Sequence, residues 1–102
     1  MKRRVLFIVT SDPRVSPKPA EAVRIAAGLA VWQEAVVAVY FCGEAARVMS
    51  EEAGLLVEGQ SLERHLEILR EAGSALLTDG GAEPDYRAMA ERIFQAESVA
   101  VW

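Results

Sequence analysis

The pattern of the sequence predicts an α/β domain, a single three-layer α/β/α sandwich around a mainly parallel sheet of four to five strands. Three observations carry this expectation. The stretch from Arg3 to Asp12 sets five consecutive apolar residues, Val5 to Val9, between basic charge and a Thr10-Ser11-Asp12-Pro13 break. A central strand buried on both faces reads this way. A second apolar run without alternation, Ala35 to Cys42, follows an alanine-rich segment of helical spacing. Strand, helix and strand joined by short links make a right-handed crossover with the two strands parallel.

Each element has its own local reason. Pro13, Pro17 and Pro19 keep residues 11–19 out of a helix and favour an extended loop. A helix is expected from Pro19 or Ala20, because proline suits a first turn whose N–H has no partner. Val23, Ala26, Ala27 and Ala30 form its inward stripe, and small side chains there let a helix lie close to a sheet. Gly28 is tolerated at a propensity cost of about 1 kcal/mol. Gly43 ends the second strand, and Glu44 to Ala53 reads as a short helix with Ala45, Val48 and Met49 on one face and Gly54 as its stop.

Leu55 to Gln60 reads as a loop with apolar anchors. Ser61 is the expected N-cap of a helix carrying Leu62, Leu66 and Leu69, closed by Gly73. Ser74 to Asp79 makes a third strand. Gly80, Gly81 and Ala82 form a turn, and a last helix starts at Pro84 and Asp85 with Tyr86, Met89, Ala90 and Ile93 on one face. Ser98 to Trp102 is the final strand.

With 102 residues the chain has room for one domain, residues 1–102, and one modest core. Apolar residues make up 52%, high for so short a chain, so part of that surface is expected to meet other subunits. Trp32, Tyr86 and Trp102 are the aromatics such contacts would use, unless each completes the monomer core. Eleven basic residues against 15 acidic ones give a net charge of −4 without a basic stripe, which argues against nucleic-acid partners. No apolar run approaches the roughly 20 residues that cross a bilayer, so no membrane partner is expected. The short run after Lys2, Arg3 and Arg4 lacks a cleavage site and reads as a strand instead of a signal peptide. One cysteine and one histidine exclude an internal disulfide and a metal-ligand cluster, and the cytoplasm is the expected compartment.

In open parallel sheets, ligands and catalytic groups gather beyond the C-terminal strand ends. Three sets of residues fall there: Thr10, Ser11 and Asp12; Cys42, Gly43 and Glu44; Thr78, Asp79, Gly80 and Gly81. If the strands are neighbours, one rim holds a thiol, carboxylates and hydroxyls. Cys42 is the candidate catalytic residue. Ser11, Asp12, Gly43, Thr78, Asp79 and Gly80 are candidate ligand-binding residues. Each also has a plain structural use. Asp12 before Pro13 suits a turn hydrogen bond, and a lone cysteine after an apolar run suits a buried small hydrophobe. A reactive thiol needs a helix N-terminus or a cation to lower its pKa; the helix opening near Gly43 offers the first, and Glu44 opposes it. His65, at the border of the Leu62-Leu69 face, reads as a packed helix residue.

Gly80-Gly81 lacks the Lys-Ser/Thr of a phosphate loop, and nothing matches Gly-x-Gly-x-x-Gly or Gly-x-Ser-x-Gly. No cofactor is expected, and these absences argue against nucleotide binding and against a serine hydrolase.

The first strand ending in Thr10-Ser11-Asp12-Pro13, the helix segment Glu21 to Ala30, the strand Val36 to Phe41 followed by Gly43, and the later helices and strands in their order and spacing resemble the DsrE/DsrF-like proteins. The resemblance implies a flavodoxin/Rossmann-like α/β sandwich that forms homotrimers or homohexamers. It also implies a link to sulfur relay, since some members carry persulfide sulfur and hand it to a relay partner. Sulfur-carrying members place their cysteine just after the strand corresponding to Ser74 to Asp79, where this chain has Thr78, Asp79, Gly80 and Gly81. Three functions follow as expectations: an oligomeric accessory or binding subunit without the family thiol, a sulfur carrier using Cys42, or a small-ligand domain using the rim.

Overall fold

The computed structural model describes residues 3–32, 35–79 and 86–102. Four strands, β1 (Arg3–Val9), β2 (Ala35–Phe41), β3 (Ala75–Thr78) and β4 (Ser98–Val101), form one sheet in the order β3-β2-β1-β4, every neighbouring pair parallel. Three helices cover it: α1 (Lys18–Val31), α2 (Gly59–Glu71) and α3 (Tyr86–Gln95). β1 is central, and Leu6, Phe7, Ile8 and Val9 are all buried, as expected of a strand covered on both faces.

The strand order decides where each helix lies. From β1 to β2 to β3 the chain advances in one direction, so α1 and α2 fall on the same face; from β3 to β4 it returns past β1, which puts α3 on the other. Alternation along the strands sorts the side chains accordingly. Phe7, Val9, Val37, Val39 and Phe41 pack with Val23, Ala26, Ala27 and Ala30 of α1 and Leu62, Leu66 and Leu69 of α2. Leu6, Ile8, Tyr40 and Cys42 form a smaller cluster on the α3 face, with Ala38, Leu77 and Ala96 against it.

Several local expectations are corrected. Residues after β2 do not form an α-helix: Gly43–Met49 is a 3₁₀ helix burying Ala45, Ala46 and Val48. Met49 is exposed, because three residues per turn turn it away from the face that 3.6-residue spacing assigns it to. Gly54 is not a stop; it lies within a second 3₁₀ turn, Ala53–Leu55. Helix α2 starts at Gly59, and its N-cap is Glu58 in the left-handed conformation at φ 53°. Ser61 is already inside the helix, where its hydroxyl and carbonyl face His65 Nδ1 at 3.3 and 2.7 Å.

On α3, Ala90 and Ile93 are exposed, although their spacing assigned them to the inward face. The side chains of Tyr86 and Met89, the turn at Gly80, Gly81 and Ala82, and the helix start at Pro84 and Asp85 lie outside the described residues. Trp32 is 78% exposed at the end of α1, whereas Trp102 packs partly buried against the larger core. No helix among the described residues is long and apolar enough to cross a membrane.

Candidate functional site

Register builds the rim. Val9 is opposite Phe41, and Phe41 is opposite Thr78, so β1, β2 and β3 end in one row. Thr10, Cys42 and Asp79 are the next residues at that level. The three strand ends singled out in the sequence are therefore neighbours. The proline loop after β1 is docked beside them, since Pro13 is buried and its carbonyl accepts from Val57 N–H at 2.8 Å.

Asp79 and Gly43 meet directly. Gly43 N–H donates to Asp79 Oδ2 at 3.0 Å, tying the end of β3 to the turn after β2. Gly43 has φ +57°, a backbone conformation that side-chain-bearing residues rarely adopt. The carboxylate stands at the C-terminal end of β3 and faces a backbone donor. Thr78 is exposed at the edge of a cleft of about 370 Å³ lined also by Gly43, Glu44, Arg47, Met49 and Ser50.

Cys42 lies at the same strand end but belongs to the interior. It is 2% exposed, packed with Leu6, Ile8 and Tyr40, and Sγ donates a long hydrogen bond to the Tyr40 carbonyl at 3.9 Å. Its backbone is fully used: Cys42 N–H donates to Val9 O at 2.9 Å and Cys42 O accepts from Ala45 N–H at 3.1 Å. As N-cap of the 3₁₀ helix it makes no side-chain cap bond, so the helix amides do not stabilise a thiolate. Burial, reinforced by the nearby Asp79 charge, pushes the thiol pKa from 9.0 up to about 11.

Asp12 serves its own turn. Oδ1 accepts from Arg14 N–H at 2.9 Å, Oδ2 accepts from Arg14 Nη2 at 2.8 Å, and Asp12 O accepts from Ser16 N–H at 2.9 Å. The Arg14 guanidinium holds the carboxyl below the usual carboxylate range. Ser11 sits half-buried in the bend before it. Gly80 lies outside the described residues.

Sequence reasoning missed the charged chain along this rim. Arg14 Nη2 reaches Glu44 Oε2 at 3.4 Å; Arg47 Nε meets the same oxygen at 2.6 Å, and Arg47 Nη1 meets Glu51 Oε1 at 2.6 Å. The spacings from Glu44 to Arg47 and from Arg47 to Glu51 were visible as helix-type charge pairs. The link from Arg14 to Glu44 was not, because it needs the loop after β1 folded onto the turn after β2. Glu44 thus pairs with two arginines. Among the described residues no group of three or more His, Cys, Asp or Glu side chains is placed to hold a metal ion.

A four-stranded all-parallel sheet with helices on both faces defines this chain as a small three-layer α/β domain. Among solved structures it is similar to the YchN protein from E. coli, with a TM-score of 0.73 over 100% of both chains and 18% sequence identity. No family model and no curated protein matches the sequence.

Proposed function

We propose that this protein is an oligomeric accessory or binding subunit related to intracellular sulfur transfer, and not the subunit that carries the sulfur. The observation that supports this most is at the end of β3. At the strand end where the family resemblance calls for a cysteine stand Thr78, Asp79, Gly80 and Gly81, and the Asp79 carboxylate there is engaged by Gly43 N–H at 3.0 Å. The nearby thiol, Cys42, is buried with its pKa raised to about 11, so at neutral pH almost none of it is the nucleophilic thiolate. In this reading the protein is cytoplasmic, assembles as a trimer or hexamer, and contacts a relay partner without receiving sulfur from it.

The cleft beside Thr78 favours a second reading, a small-ligand domain. Its lining offers the Thr78 and Ser50 hydroxyls and the Glu44-Arg47 pair, a polar set suited to a small hydrogen-bonding molecule.

Intact mass after exposure to a persulfide donor tests the main reading. The expected result is no gain of mass in the native protein. A gain of one sulfur atom, reversed by reductant and absent from Cys42→Ser, would make Cys42 an acceptor and overturn it. A melting temperature raised by a small molecule equally in wild type and Cys42→Ser would favour the ligand reading.

A further inference from the structure

The lone helix on the second face of the sheet leaves an open trough beside it. Helix α3 packs along β1, and the β2 and β3 half of that face is thinly covered, with Val36 56% exposed. Register lines up the floor. Leu6, Ala38 and Ala75 stand side by side across β1, β2 and β3, and two residues earlier Arg4 stands opposite Val36. Arg92, Gln95 and Ala96 share one side of α3 by their i, i+3, i+4 spacing and form the wall. These residues line a cleft of about 210 Å³. It lies toward the N-terminal strand ends. Five residues of β2 separate Val36 from Phe41, so the cleft is about 16 Å from the rim.

Charge gives the cleft a ligand class. Arg4 and Arg92 are the charged side chains that line it, and no carboxylate among the described residues does. Elsewhere in this acidic chain the arginines in clefts come with glutamates: Glu44 beside Arg47 at the rim, and Glu51, Glu52 and Glu63 beside Arg70 along α2. Arg92 makes no ion pair among the described residues. Arg4 has one, to Glu97 at 3.7 Å, and both side chains are well exposed. So loose a surface pair contributes little, and an incoming anion can replace it.

We propose that this cleft binds a small aliphatic carboxylate, its head on the Arg4 and Arg92 guanidinium groups and its chain on Leu6, Ala38 and Ala75. A guanidinium presents paired N–H donors that match the two oxygens of a carboxylate. The floor has no polar side chain of the kind a sugar would need, and no aromatic among the described lining residues to stack on a ring. The volume falls below the roughly 300–1,000 Å³ of drug-sized sites, so the chain is short. The cleft shares no residue with the rim, so it stands whether or not the accessory reading holds.

Calorimetric titration of the whole chain with hexanoate tests it, with hexanol as the tail alone and acetate as the head alone. Saturable binding of hexanoate is expected, with both controls weaker by about tenfold or more. Arg4→Gln and Arg92→Gln should each weaken hexanoate by about tenfold, as loss of a charged hydrogen bond does. Ala75→Leu fills the floor at an exposed strand position and is expected to abolish binding while the protein keeps a cooperative melt. A wild type that takes up no hexanoate overturns the proposal. So does hexanol binding as tightly as hexanoate, or hexanoate binding that both arginine variants leave unchanged. Loss of binding in Arg47→Gln alone would place the ligand at the rim and overturn it too.

Discussion

The two faces of the sheet are built to different standards. On one, α1 and α2 lie side by side, and an alanine stripe and three leucines seal Phe7, Val9, Val37, Val39 and Phe41. On the other, α3 stands alone over Leu6, Ile8, Tyr40 and Cys42, leaving Ile93, Val99 and Val101 exposed. Stability is concentrated on the first face. The second leaves more apolar surface exposed. The difference follows from topology: two of the three crossovers run in one direction and only the last returns.

Truncation should separate the faces most sharply. Leu69→Ala, at a fully buried site between α2 and the sheet, is expected to cost about 2–5 kcal/mol by urea unfolding. Val101→Ala, at an exposed site, is expected to stay within about 0.5 kcal/mol when measured on the monomer. Equal losses would remove the distinction. The rim should respond next. Asp79→Ala leaves the Gly43 N–H without its acceptor and is expected to cost about 1–3 kcal/mol. The same change removes the charge that helps hold Cys42 protonated, so the thiol should titrate at lower pH in the variant, readable by thiolate absorbance.

A smaller effect comes from pH. The folded protein holds the Cys42 proton more tightly than the unfolded chain does, so this group favours folding below pH 9.0, and that preference is lost as pH rises toward about 11. Melting temperature should therefore fall over that window more steeply in wild type than in Cys42→Ala. The Glu44-Arg47-Glu51 pairs are partly exposed and screened by salt. Arg47→Ala should shift the melting temperature least of all, with the difference vanishing at high salt.

Much of this fold is legible in the sequence because its elements are repetitive in space. Unbroken apolar runs mark β1 and β2, and the stripe of Val23, Ala26, Ala27 and Ala30 marks α1; all four are buried. Apolar spacing after Gly43 marks a short helix without fixing its winding, and the chain winds Gly43–Met49 as 3₁₀. The start of α2 was missed because Glu58 adopts a left-handed backbone that favours glycine, which no propensity for glutamate foretells. Ala90 and Ile93 were assigned inward on periodicity alone, and periodicity marks a sticky face without saying whether this chain or another covers it. At the site, the Asp12-Arg14 turn was readable as local chemistry. The Asp79-Gly43 bond spans 36 positions, so only strand order and register could bring it together. Burial of Cys42 depended likewise on which face of β2 its side chain continues.

The claim that Cys42 is a core residue of the thinly covered face, and not a sulfur acceptor, is tested most directly by alkylation of the native protein. A small iodoacetamide-type reagent is added at mildly alkaline pH with and without urea, and the label is read by intact mass. The account expects no label on the native chain and one label on the unfolded chain. Labelling of the native protein as fast as the unfolded chain would contradict it, and would return Cys42 to the rim as a reactive thiol.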